Sequence, residues 1–350
     1  MVRVAIIGAG GWGYAHVVNM FKNRKIKPVA FVDRNPAVFA RLQNEFKVYK
    51  NLCFSSVEEA INAAEFESAI VSIPNPARVQ IIEQLLAKNI NILMDKPAAH
   101  TVADLNRIKQ ALAKSKSIIM VAQNYRFLQS AMFVRKQIES GKVGKLRHIN
   151  LYFCRYAPFL ANGFYSKLTG AQVIALEMGS HHLDLLNYFI GAEPKKIYGR
   201  TWHEPNDLIQ ADCHLSAMLT YPDNIAVNYS SSLMGRTDRT NWPGRFEIEC
   251  EKAHLVWDEM EKARIKIFTV NKDGTVSEQY KSYQFLPYPE ESLSRCLDMF
   301  IRVVQGKMPV EAEPIMFEPN IKVILAGLAI HESGINNKVI DFKNFLKGES

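Results

Sequence analysis

The sequence predicts an α/β chain followed by an α+β chain: a doubly wound parallel sheet first, then a large open sheet that is mostly antiparallel. Three observations predict it. An apolar strand, Val4-Ala5-Ile6-Ile7, runs straight into the glycine-rich turn Gly8-Ala9-Gly10-Gly11-Trp12-Gly13. Strand and helix patterns then alternate as far as residue 122. Beyond that point, runs of strands separated by turns take over. The 350 residues suffice for two domains with real cores. The expected boundaries are 1–122 for a dinucleotide-binding domain and 123–350 for a substrate-binding and oligomerisation domain.

Glycines 8, 10 and 13 form Gly-x-Gly-x-x-Gly. The first permits the tight turn, the second lets backbone approach a pyrophosphate, and the third packs helix on strand. The helix that follows, with Val17, Val18, Met20 and Phe21, offers unpaired N–H groups to phosphates. Pro28 to Val32 forms a second strand ending at Asp33, whose carboxylate can accept hydrogen bonds from a ribose diol. That favours NAD, and Arg34 beside it leaves NADP open. A helix starts at Asn35-Pro36, a short strand is expected at Val48-Tyr49, and Ser56 with Glu59 caps the next helix. Ser68 to Ile73 is a strand stopped by Pro74-Asn75-Pro76. Val79 to Ala87 is helical, Ile90 to Met94 is a strand ending in Asp95-Lys96-Pro97, Thr101 to Lys114 is a helix, and Ile118 to Ala122 is the last strand. Gly8, Gly10, Gly11, Trp12, Gly13, Asp33, Arg34, Ile73, Pro74, Asn75, Asp95, Lys96 and Asn124 fall where a dinucleotide would be held, at the carboxyl ends of parallel strands.

In the second part a helix covers Gln129 to Glu139, Leu146 to Arg155 alternates like a strand, and 156–172 reads as a long loop. A helix is expected across 173–190. Strand-like runs follow near 195–202, 213–221, 224–233, 245–250, 254–257, 264–270 and 278–284, and helices near 290–305 and 318–333 close the chain. If the 173–190 helix is regular, Glu177 and His181 stack at i,i+4, and His181 and Asp184 stand at i,i+3. A carboxylate beside an imidazole makes His181 a proton acceptor near neutral pH. His181, His182, Glu177 and Asp184 are also possible metal ligands, but adjacent helical histidines diverge, and no metal is expected. Lys96, set between Asp95 and Pro97, is aimed from the sheet and can stabilise a developing alkoxide. Arg155, Tyr156 and Tyr165 flank the loop as candidate substrate contacts.

Composition narrows the partners. Hydrophobic residues make up 48% and charged residues 22%, ordinary for a globular protein. The net charge of +8 is scattered, so a field for anionic cofactors suffices and no nucleic acid is expected. The five cysteines show no metal-ligand spacing and suit reduced thiols in a cytoplasm. Neither a leader nor a membrane span is expected from the lengths of the apolar runs.

The chain resembles the glucose–fructose oxidoreductase, inositol dehydrogenase and MocA-like (Gfo/Idh/MocA) family over nearly its whole length. The resemblance rests on the glycine turn, Ser72-Ile73-Pro74-Asn75, Asp95-Lys96-Pro97, Asn124-Tyr125-Arg126-Phe127, Gly141-Lys142-Val143-Gly144 and Glu177-x-Gly179-x-His181-x-x-Asp184. It implies a Rossmann domain, an α+β domain that builds homodimers or homotetramers through its sheet, and NAD(P)-linked redox chemistry on sugar or polyol hydroxyls. It also implies Lys96 as the catalytic lysine, His181 as the proton-transfer histidine and Glu177 as its acidic partner. Substrate would meet Lys96, Tyr125, Arg155, Glu177, His181 and Asp184. Asp95 stands where glutamate is usual, Glu177 where aspartate is usual, and Arg78 where histidine is common. Arg78 suits either an anionic substrate or an exposed helix face. Two other activities fit the same residues: a glycosidase using transient NAD oxidation, and a non-catalytic NAD(P)-binding sensor.

Overall fold

A computed structural model of the chain describes residues 1–237, 239–258, 263–285 and 289–348. The first part folds as β1 (Val2–Ile7), α1 (Gly11–Lys22), β2 (Ile26–Val32), α2 (Pro36–Phe46), β3 (Cys53–Phe54), α3 (Val57–Ala63), β4 (Ser68–Val71), α4 (Asn75–Ala87), β5 (Asn91–Met94), α5 (Val102–Ala113) and β6 (Ile119–Val121). Its six strands pair in parallel in the order β3-β2-β1-β4-β5-β6. The order reverses between β1 and β4, where open α/β sheets bind ligands. Val4 to Ile7, Ile70, Val71, Leu93 and Met94 are all buried, as continuous apolar runs in a doubly covered sheet should be.

The helices start where capping chemistry places them. Asn35 accepts from the Ala37 N–H, Ser56 from Glu59 and Thr101 from Asp104. The short strand expected at Val48-Tyr49 is instead Cys53–Phe54, paired with Phe31 and Val32. Lys47, in the left-handed region at φ 56°, ends α2, and a 3₁₀ turn over Lys50–Leu52 delays pairing.

The second part contains α6 (Gln129–Glu139), β7 (Leu146–Cys154), α7 (Gly179–Ile190), β8 (Lys196–Trp202), β9 (His214–Thr220), β10 (Ala226–Ser232), β11 (Arg245–Cys250), β12 (Ala253–Asp258), β13 (Ala263–Val270), β14 (Val276–Phe285), α8 (Pro289–Val304), α9 (Phe317–Asn336), β15 (Ile340–Asp341) and α10 (Phe342–Lys347). The nine-stranded sheet runs β14-β13-β12-β11-β7-β10-β9-β8-β15 and is antiparallel except where β7 meets β10. Burial alternates along β8, β9 and β10, so one face packs inward. On that face Phe189 from α7 meets Phe246 and Trp257 edge-on, with centroids 5.4 and 5.6 Å away. Such pairs contribute about 0.5–1.5 kcal/mol each beyond buried area.

The chain divides into two compact units: Met1–Asn124 with Glu290–Ile321, and Tyr125–Pro289 with Lys322–Ser350. Residues 290–321 return to the first unit. The return is made by contacts distant in sequence. Asn124 Nδ2 donates to Ser292 Oγ (3.1 Å), and Met120 bridges to Met316. Leu293, Cys296, Leu297, Phe300 and Ile301 form one buried stripe of α8. No helix among the described residues is long and apolar enough to cross a membrane.

Candidate active site

The glycine turn builds the first part of the site. Gly8 sits at φ +86°, and a Cβ there would lie 2.3 Å from the Ser72 carbonyl oxygen. A Cβ on Gly13 would lie 1.8 Å from the Gly8 carbonyl oxygen, so only glycine lets α1 sit this close to β1. Gly10 caps α1 without a side chain, and no acidic residue lies in the first helical turn. The free N–H groups and the helix dipole suit a phosphate. Asp33 at the end of β2 closes the turn: its carboxylate accepts from the Gly10 N–H (3.1 Å) and the Asn35 N–H (2.9 Å). Arg34, Trp12 and Gly11 are exposed. Asn75, at the start of α4, is buried, yet neither of its side-chain amide atoms has a hydrogen-bond partner among the described residues. A buried amide left this way is costly in isolation and fits a polar ligand lying across it. The residues present therefore fit a dinucleotide.

Lys96 is half-buried just past β5. The backbone around it is held from below. Arg78, one turn into α4, is buried and donates to the carbonyl oxygens of Ile73 (3.0 and 2.7 Å), Asp95 (2.7 Å) and Pro97. This corrects the reading of Arg78 as a residue on an exposed helix face: the side chain is buried and donates to backbone carbonyls. Its planar fork ties the turn that carries Asn75 to the segment that carries Lys96.

Asp95 completes the clamp. Its Oδ1 lies 2.8 Å from His16 Nε2, and its Oδ2 accepts from Ser72 Oγ. Burial pushes the Asp95 carboxyl up, but the His16 imidazole, the two hydrogen bonds and the Arg78 charge outweigh it and hold it below the usual carboxylate range. A folded-state value below the unfolded one gives stability that is present above the ordinary carboxylate range. That stability is lost as pH falls through the lowered value. Asp95→Asn is therefore expected to flatten the acid limb of a melting-temperature profile against pH, with the two proteins converging at the lowest pH. An unchanged acid limb would refute the assignment. His16 and Ser72 were missed in the sequence; the available signal was a titratable residue inside the apolar stripe of α1.

The second unit carries the histidine helix. Residues 173–190 are helical as expected, but not uniformly. Val173–Met178 is a π-helical turn, in which the Gly179 N–H reaches Ile174 O five residues back. The wider turn adds one residue to the helical repeat just ahead of Gly179. Such insertions are common at functional sites and invisible to hydrophobic periodicity. Glu177 is half-buried, and Tyr165 feels it: burial first, then the Glu177 charge, push the Tyr165 hydroxyl up to about 12. His181 is buried and stacked face to face on Tyr125, with centroids 3.9 Å apart and planes 12° from parallel.

Asp184 does not pair with His181. Its carboxylate accepts both prongs of Arg126 (2.9 and 2.6 Å) at 1% exposure, so it anchors the segment carrying Tyr125 rather than meeting a ligand. His182 is a core residue. Its Nε2–H donates to the Trp242 carbonyl (3.0 Å), so Nδ1 accepts from the Tyr229 hydroxyl (2.7 Å). The four-residue metal reading of this knot therefore loses Asp184 and His182 to other partners. Arg155 donates to the Thr240 carbonyl (3.0 Å) with its guanidinium over Trp242, and the Asn124 amide is given to Ser292.

Comparison with known proteins extends this picture. A family model described as "Oxidoreductase family, NAD-binding Rossmann fold" matches residues 2–123, and the GFO/IDH/MocA C-terminal domain model matches 132–256. The rhizopine catabolism protein MocA of Rhizobium meliloti is 25% identical over 225 residues, covering 61% of this chain and 68% of that protein. The myo-inositol 2-dehydrogenase of Thermotoga maritima is 19% identical over 313 residues, covering 88% and 90%. Among solved structures, an oxidoreductase from Agrobacterium radiobacter, crystallised with NAD+, L-tartaric acid and magnesium, superposes with a TM-score of 0.82 at 16% identity over 98% of each chain. That likeness establishes the fold.

Proposed function

The chain belongs to the GFO/IDH/MocA family of oxidoreductases with an NAD-binding Rossmann domain, and on that premise we propose that it transfers a hydride between the nicotinamide and a secondary hydroxyl or ketone of a sugar, cyclitol or sugar derivative. The observation that carries this reading is the Asp95–Pro97 segment. It presents a half-buried lysine beyond a central parallel strand, on backbone that Arg78 and Asp95 hold rigid. The relative from Thermotoga maritima, a myo-inositol 2-dehydrogenase, supports a cyclitol or sugar as the substrate class.

NAD, when bound, supplies the hydride acceptor. The turn at Gly8 to Gly13 and the N-terminus of α1 would hold its phosphates, Asp33 would meet its ribose, and the buried Asn75 amide would offer it hydrogen bonds. Asp33 favours NAD, and the exposed Arg34 leaves room for NADP. Lys96 donates a hydrogen bond to the carbinol oxygen and stabilises the charge that develops as the hydride departs. His181 accepts the hydroxyl proton, held flat by the Tyr125 ring, with Glu177 setting the local charge. Carbinol carbon loses its hydride, oxygen loses its proton, and a ketone remains. The exposed side of the nine-stranded sheet, with Tyr198 and Met218 in the open, supports association with further copies of the chain.

The test is a reduction assay with NAD and NADP against cyclitols, aldoses and sugar acids. Reduced nucleotide forming with at least one polyol is the expected result. Tight nucleotide binding with no reduction across the panel would reject the reading in favour of a sensor.

A further inference from the structure

Five cysteines without a fixed ligand spacing suggest no metal. Folding changes that for one of them. Asp207, in the connection between β8 and β9, and Cys213-His214, at the start of β9, bring a carboxylate oxygen, a thiol sulfur and an imidazole nitrogen together within 4.8 Å of one another. Asp207 Oδ2 lies 3.2 Å from Cys213 Sγ and 2.8 Å from His214 Nε2. A tetrahedral zinc ion, with bonds of roughly 2.0 Å to oxygen and nitrogen and about 2.3 Å to sulfur, sets donor separations of about 3.3–3.6 Å.

The cluster is crowded in a way a cation would relieve. Asp207 Oδ2 faces three donors: Cys213 Sγ, His214 Nε2 and the Glu204 N–H at 2.7 Å. One carboxylate oxygen has two lone pairs to offer them. Replacing the thiol and imidazole protons by one shared cation leaves that oxygen with the ion and a single N–H. The supporting shell is built too. Trp202 stacks on the His214 ring at 5.4 Å and 23°, and Glu204 N–H fixes the carboxylate. Cys213 is fully buried, while the side chains of His214 and Asp207 keep 16% and 12% exposure. The cluster is therefore partly reached by solvent at His214 and Asp207.

We propose that Asp207, Cys213 and His214 form a zinc-type site that pins the β8–β9 connection to the start of β9. The donor set is the borderline carboxylate, thiolate and imidazole combination that suits Zn²⁺. Binding releases the Cys213 proton to solvent, shifts the His214 ring proton from Nε2 to Nδ1, and breaks no covalent bond between heavy atoms. The site is structural and does not depend on the proposed redox activity.

Chelator-treated full-length protein is titrated with Zn²⁺ and, separately, with Co²⁺. Expected are a single ion retained per chain through gel filtration, a higher melting temperature, and a thiolate-to-cobalt absorption band in the near ultraviolet. Cys213→Ser should abolish the band, His214→Gln and Asp207→Asn should weaken affinity at least about tenfold, and Cys53→Ser, which alters the half-buried thiol elsewhere, should change nothing. No retained ion, a band that survives Cys213→Ser, or a band that vanishes with Cys53→Ser would each overturn the proposal. If Cys213→Ser does not fold, His214→Gln decides: undiminished zinc affinity in that variant overturns it.

Discussion

Lys96→Met is expected to lower kcat by about 10³-fold while NAD affinity stays within a few-fold of the parent. Methionine keeps the length and apolar stem of lysine but removes the charge and all three donors. If Lys96 stabilises the developing alkoxide, its loss falls on the transition state, and removal of one such donor commonly costs about 10²–10³ in kcat. The residues proposed to bind the cofactor, in the turn at Gly8 to Gly13 with Asp33 and Asn75, are left in place by the substitution. Nucleotide fluorescence and steady-state kinetics on the same preparation separate the two effects. Full turnover in the variant would remove Lys96 from the mechanism.

Arg78→Met is expected to destabilise the first unit by about 3 kcal/mol, because it strands three carbonyl groups that are each costly to leave unpaired. It should also lower kcat more than it raises KM, since Arg78 acts on Lys96 only by holding Asp95 O and Pro97 O. Arg78→Lys should rescue little: one ammonium cannot reproduce the fork that reaches Ile73, Asp95 and Pro97 together. Urea unfolding and the kcat-against-KM split check both claims. A helix-surface arginine would change stability by less than about 0.5 kcal/mol on substitution, and that result would contradict the clamp.

Local rules explain what was legible in advance. The strand-turn-helix at 2–22, the caps at Asn35, Ser56 and Thr101, and the alternating strands of the second sheet each depend on residues a few positions apart. Tertiary partners decide the rest. Arg78 reads as surface until Asp95 and Pro97, seventeen and nineteen residues later, come beneath it. Asp184 looks like a partner for His181 until Arg126, fifty-eight residues earlier, takes both its oxygens. One extra residue in the turn at Val173–Met178 leaves the apolar pattern intact, so periodicity does not reveal the π-helical turn. Asp207, Cys213 and His214 have no fixed-spacing signature at all, because the bend of the β8–β9 connection brings them together.

The most direct test of the central claim follows the hydride itself. Polyols and their glycosides are prepared with deuterium on the carbinol carbon and incubated with the protein and NAD, and the products are examined by NMR. Deuterium on C4 of the reduced nicotinamide, with one ketone formed per nucleotide reduced, is the predicted result. Oxidised nucleotide recovered unchanged, with a glycosidic bond cleaved and the label back on sugar or lost to solvent, would contradict it.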